Sequence, residues 1–258
     1  CALPIYENVS AAVSGGNDNA SGRLSVSYQR YGGWYDGNGD EVIIDNTQTG
    51  LQYSDRIDVM GTGTINIDDH QQLQLTTQYY KSESDGKHGL FLGENFAAVT
   101  GDAEAYNKDN LNSDRIPGTE RHLINLQYSN TDFWGQDLVA QIYYRDESLT
   151  YYPFPTLSKG AVTSIGASQQ KTDFYGGKLT LNSKPMDDLT LTWGVDADHE
   201  TFDANQQFFD LSKAAASGGM ELDNAYNVGR YPGYSITNLA PFLQASYDID
   251  AITLSGGV

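Results

Sequence analysis

Alternation with a period of two recurs along most of this chain, and it limits the fold more than any other feature. In QQLQLTTQYYKS, Leu73, Leu75, Thr77 and Tyr79 fall on one side of an extended backbone, with Gln72, Gln74, Thr76 and Gln78 on the other. LTLTWGVDAD sets Leu189, Leu191, Trp193, Val195 and Ala197 against Thr190, Thr192, Gly194, Asp196 and Asp198. GRLSVSYQ (Leu24, Val26, Tyr28) and DRIDVMGTGTINI (Ile57, Val59, Ile65, Ile67) behave alike. Such segments predict about ten half-buried strands, near 5–13, 21–31, 53–67, 71–82, 120–129, 136–147, 171–183, 189–200, 236–248 and 252–258. Helical spacing is missing, except that FFDLSKAAASG at 208–218 predicts a turn or two.

The connections alternate as well. GGNDNA, DDH, NTDFWG, SKPMDD and DA are tight, whereas Gly32–Gln52, Glu83–Thr119, Ser148–Gln170 and Thr201–Ser235 are long. Loops beyond about 15 residues are uncommon in compact domains. A membrane β-barrel of the Gram-negative outer membrane has a use for this arrangement, with short turns on one side and long loops on the other. The expected fold is therefore all-β, an antiparallel up-and-down transmembrane barrel with its apolar face against outer-membrane lipid and its polar face lining a wet lumen.

Composition agrees. Hydrophobic residues make up 39% and mean hydropathy is -0.49, which is lean for a two-layer core, yet there are 18 Tyr and 27 Gly. A net charge of -19 gives no electrostatic footprint for nucleic acid. The single cysteine, Cys1, excludes an internal disulfide. Cys1–Ile5 is expected to be a non-native, adapter-derived start, the other reading being a lipidated lipoprotein cysteine. The barrel segment is expected to span 6–258. LSGGV stops inside a strand-like run, so the chain reads as a fragment.

Candidate chemistry is sparse. There is no GxSxG elbow, HExxH or P-loop, so no enzyme, catalytic residue or metal site is expected. His70, His88, His122 and His199 are far apart and read as solvated or lumenal. Asp36–Glu41 has calcium-loop spacing but lacks Gly at the sixth position, and Thr47 stands at the twelfth, which favours an acidic loop tip. The loops do offer aromatics interleaved with arginine: Trp34, Tyr35, Arg115, Arg145, Tyr151, Tyr152, Phe154, Arg230 and Tyr231. That set suits an anionic ligand with planar oxygens. Tyr79, Tyr80, Tyr143 and Tyr144 read chiefly as an interfacial girdle. Adjacent Tyr143 and Tyr144 must divide, one to lipid and one to the lumen.

Several long segments go further, among them AVSGGNDNASGRLSVSYQRYGGWYDGNGD, LNSDRIPGTERHLINLQYS, VAQIYYRDESLTYYPFPT, KLTLNSKPMDDLTLTWGVDADHE and GRYPGYSITNLAPFLQ. Together they resemble the TonB-dependent siderophore receptors, over essentially the whole chain after Ile5. The resemblance implies a 22-stranded barrel closed by an N-terminal plug bearing a TonB box. It implies a ferric siderophore as ligand, of the citrate-hydroxamate kind, with iron carried only inside that complex and no directly bound cofactor. It also implies coupling to TonB–ExbB–ExbD through the plug. The sequence has no plug, no TonB box and no terminal aromatic strand, so only the second to eleventh strands are expected here. A general porin and a lipid-anchored β-rich binding protein are the other readings.

Overall fold

In the computed structural model, which describes residues 6–45 and 52–258, the alternating segments are strands. Cys1–Ile5 lies outside the described residues. The first four strands are β1 (Tyr6–Gly16), β2 (Ala20–Tyr31), β3 (Ser54–Asn66) and β4 (Gln71–Ser84). The next connection holds β5 (His88–Phe91), α1 (Ala97–Thr100), β6 (Tyr106–Asp109) and β7 (Asn112–Ser113). Then come β8 (Gly118–Asn130), β9 (Asp137–Thr150), β10 (Phe154–Ser158), β11 (Ala161–Met186) and β12 (Leu189–Phe209). The last elements are α2 (Leu211–Ala216), β13 (Glu221–Leu222), β14 (Asn224–Ile249) and β15 (Ile252–Gly257).

The main sheet runs β1-β2-β3-β4-β8-β9-β11-β12-β14-β15, every pair antiparallel, and β10 joins it only through β11. Among the described residues β1 and β15 are edges, so the sheet is open. The tight links are set by side chains. Asn17 Oδ1 accepts from the amides of Asn19 and Ala20, both at 2.9 Å. Asp68 Oδ1 does the same for His70 and Gln71, both at 2.8 Å. These Asx turns reverse the chain where the sequence offers Asn or Asp.

Register turns the alternation into two chemically different faces. Leu75, Leu126, Ile142, Gly177, Ala197 and Leu239 lie side by side across six strands, as do Leu73, Tyr128, Ala140, Leu179, Val195 and Pro241. Above them, Tyr144 is paired with both Ile124 and Tyr175, and then Asp146 with Asp173. That is an apolar band with an aromatic rim, as lipid contact requires. The opposite face is polar: Gln141 Nε2 donates to Asn125 Oδ1 at 2.9 Å, Asn238 Nδ2 to Asp198 Oδ1 at 2.9 Å, and Lys178 pairs with Asp196 at 3.1 Å.

Three expectations change. Ser148–Gln170 and Thr201–Ser235 are not long loops, because β9 extends to Thr150, β11 begins at Ala161, β12 reaches Phe209 and β14 starts at Asn224. Phe154 is therefore in a strand, and Pro155 is paired with Ile165 on β10, an edge strand where its missing N–H is tolerated. Arg230 and Tyr231 are on β14 rather than in a loop. Tyr80 shares the polar face with Arg121, its register partner, so only Tyr79 of that pair belongs to the girdle. The predicted helical turn is α2.

The connections pack into a small core of their own. Leu92, Phe96, Ile165, Ala167, Phe209, Ala214 and Leu222 are buried together. Parallel pairing of β7 with β13 ties the β4–β8 connection to the β12–β14 connection, and Leu92 N donates to Gly218 O at 2.8 Å.

Candidate ligand-binding site

Five of the nine aromatic and arginine residues singled out in the sequence meet in one cavity of about 430 Å³. Tyr151 and Tyr152 leave the end of β9, Phe154 opens β10, and Arg230 and Tyr231 come from β14, with Ser168, Gln170 and Gln206 between them. The strands bring these groups together because β14 is irregular here. Phe202 is paired with Tyr234, Ala204 with Tyr231, and Asn205 with Gly229. Pro232 and Gly233 together therefore oppose the single residue Asp203, and Arg230 has no counterpart on β12, so β14 carries one extra residue at each place. Pro232 lacks the amide for a regular ladder, and a bulge re-aims the side chains beside it. That is how consecutive Arg230 and Tyr231 both reach one cavity.

The Arg230 guanidinium is held by neutral groups. Nη1 donates to Gln206 Oε1 at 2.8 Å, Nε donates to the Tyr231 hydroxyl at 3.3 Å, and the guanidinium lies 5.4 Å from the Tyr231 ring centroid. Its charge is not neutralised by any ion pair among the described residues. Tyr152 is half-buried, and burial pushes its phenol above the ordinary tyrosine value while a hydrogen bond with Ser84 opposes that rise. The cavity thus offers aromatic walls, one free cation and neutral hydrogen-bonding groups. Such a set can hold a bulky anion by contact and charge, without bond chemistry.

The other four candidates lie elsewhere. Arg115 Nη1 donates to Ala167 O at 3.1 Å, and burial lowers its guanidinium below the usual arginine value. It fastens the β4–β8 connection to β11. Arg145 is on the polar face of β9, over the Phe174 ring at 5.4 Å. Trp34 and Tyr35 belong to the β2–β3 connection, where the Trp34 amide donates to Gln52 Oε1 at 3.2 Å and Tyr35 bridges to Glu41. The Asp36 carboxylate accepts from the amides of Asn38 and Asp40 at 2.8 and 2.9 Å, which hold it below the usual carboxylate range. That is an Asx turn at an acidic tip. Thr47 lies outside the described residues.

Sequence reasoning missed Gln170 and Gln206, which read as loop filler, and also Arg56 and Arg121 on the polar face. The missed signal was parity: Arg56 alternates with Ile57 just as Tyr80 does with Tyr79.

The β-barrel model described as "TonB dependent receptor-like, beta-barrel" matches residues 59–258. The ferric aerobactin receptor of Klebsiella pneumoniae is 63% identical over 98% of this chain, and that of Escherichia coli is 62% identical over 98%. The rhizobactin receptor of Rhizobium meliloti (strain 1021) is 36% identical over 97%. The chain spans about a third of the length of these relatives, 34–35%. Among solved structures, the copper transporter OprC superposes with a TM-score of 0.61 at 16% identity, over 98% of this chain and 36% of that one. The FrpB iron transporter from Neisseria meningitidis gives 0.56 at 14% identity, over 98% and 37%. At those identities the likeness is one of fold.

Proposed function

This chain belongs to the TonB-dependent receptor β-barrel family, and from that premise we propose that it is part of the wall and mouth of an outer-membrane receptor importing a ferric siderophore. The ligand is an aerobactin-like citrate-hydroxamate chelate, a reading supported by the ferric aerobactin receptors at 62–63% identity. Iron enters as cargo inside that chelate. In the full-length protein, a plug and the TonB–ExbB–ExbD machinery supply gating and energy. The function is binding and transport. A general porin and a lipid-anchored binding protein are disfavoured by the receptor relatives.

The observation that carries this reading is the meeting of Tyr151, Tyr152, Phe154, Arg230 and Tyr231 around one cavity beyond the apolar band. A guanidinium without an ion-pair partner among the described residues, lying over the Tyr231 ring, suits carboxylate and hydroxamate oxygens around a metal. The test is ferric aerobactin binding to the full-length protein that carries this chain. Arg230→Ala and Tyr152→Ala are expected to weaken it by roughly ten- to a hundredfold, as for loss of a charged hydrogen bond or an aromatic anchor. Trp34→Ala, away from the cavity, is expected to leave it within about twofold. Equal, unchanged affinity in all three variants overturns the site.

A further inference from the structure

Three arginines on the polar face are not accounted for by the aromatic cavity. Arg56 is on β3, Arg121 on β8 and Arg145 on β9, and the Nε of each is buried with no hydrogen-bond partner among the described residues. Rings hold their planes. Tyr80 lies between two of them, with its centroid 5.7 Å from the Arg56 guanidinium and 5.3 Å from that of Arg121, and Phe174 lies 5.4 Å from Arg145. Stacking covers the flat faces of a guanidinium and leaves the donors on its edge. Those donors are little used: Arg56 Nη1 donates to Gln29 Oε1 at 3.3 Å, and Arg121 Nη1 stands 3.7 Å from Glu147 Oε2. Among the described residues, only the Glu147 carboxylate stands within 4.0 Å of these three cations, in a chain of net charge -19.

The group also adjoins the cavity. Arg56 and Tyr80 line a cleft of about 100 Å³ together with Tyr152, which lines the aromatic cavity as well. By register, Arg56 lies level with Gln170, Arg121 one inward-facing row nearer the tight turns, and Arg145 one row further. The arginines descend from the cavity along the wall.

We propose that Arg56, Arg121 and Arg145 form a second station for planar carboxylate oxygens, which receives the carboxylates of the ferric chelate below the aromatic cavity. This rests on the siderophore reading and extends it to residues that reading does not use. Buried guanidinium donors without partners are costly, and a bidentate carboxylate satisfies them.

The test uses the full-length protein, ferric aerobactin, and the same chelate with only the carboxylates that do not bind iron converted to amides. Arg56→Gln and Arg121→Gln are expected to weaken binding of the carboxylate form at least about tenfold each, with Lys variants intermediate. The amide form is expected to bind the parent protein correspondingly weakly and to be indifferent to both substitutions. Altered mobility of the unheated barrel on a denaturing gel identifies variants that fail to fold. Wild-type affinity in folded Gln variants overturns the station. Unchanged binding with lost transport also overturns it, and assigns the arginines to a carboxylate of the protein's own plug. Failure of the parent to bind the chelate at all instead overturns the siderophore reading.

Discussion

The core built by the connections makes a sharp prediction at Phe96. Its ring is 2% exposed, and its backbone sits at φ +59°, next to Asn95 at φ +55°. For an L-residue the left-handed region costs roughly 1–2 kcal/mol, so tertiary packing of the ring must hold the backbone there. Phe96→Ala removes the ring and keeps the strain, at a cost of about 3–5 kcal/mol. Local opening of this core should then rise by about two to three and a half decades, at about 1.4 kcal/mol per tenfold. Three amides report it by hydrogen exchange in the full-length protein: Leu92 to Gly218 O at 2.8 Å, Asn112 to Met220 O at 2.8 Å, and Asp114 to Leu222 O at 3.1 Å. Phe96→Gly sharpens the test. At an ordinary helical or strand position Gly is worse than Ala by about 0.5–1 kcal/mol, but at this φ that order should vanish or reverse. Unchanged exchange in Phe96→Ala, or Gly clearly worse than Ala, refutes the reasoning.

Two further outcomes follow from backbone geometry and charge. A Cβ on Gly194 would stand 1.9 Å from Leu179 O and 2.9 Å from Phe242 Cζ, so Gly194→Ala should destabilise the folded barrel by about 1–3 kcal/mol in denaturant titration. Gly63→Ala, with nothing within 4 Å of the added atom, should not. Asp210 caps α2 by accepting from the amides of Ser212 and Lys213, and these bonds, with the Ser212 hydroxyl, lower its carboxyl below the ordinary value of 3.8. A lowered folded-state value means stability that is present above the ordinary value and lost as pH falls through the folded one. Amide protection in α2 should accordingly fade only in acid; Asp210→Asn should keep the cap without that dependence, and Asp210→Ala should lose the cap at every pH.

The strands were legible only where lipid imposes a period. From Leu138 to Tyr144, or Leu189 to Ala197, one face is apolar and the other polar, and the strand starts read from sequence, 136 and 189, lie at or beside those observed, Asp137 and Leu189. Beyond the band both faces are wet or meet other connections. Gln169, Gln170, Asn205, Gln206 and Gln207 then carry no alternation, although they sit in regular ladder positions. β12 and β14 therefore looked like a loop from Thr201 to Ser235. The cavity was half-legible for the same reason. Its aromatics and Arg230 stood out by residue type, but their convergence depends on the bulges at Arg230 and Pro232–Gly233, which no local pattern announces. Trp34 and Tyr35 show the converse: the right residue types, on a connection that does not reach the cavity.

Both walls of this barrel are written on the same strands, in alternate letters, and the strands continue past the membrane into the cavity. A deletion of one residue in β11 between Gly166 and Leu181 would exchange lipid-facing and inward-facing side chains over everything on one side of it. Relatives that adapt to new ligands should therefore change length at Asp210–Asp223 or within the bulged stretch of β14, or else by two residues at a time. In the long strands, selection for membrane insertion and selection for ligand choice cannot act separately, because a frame that satisfies one fixes the other.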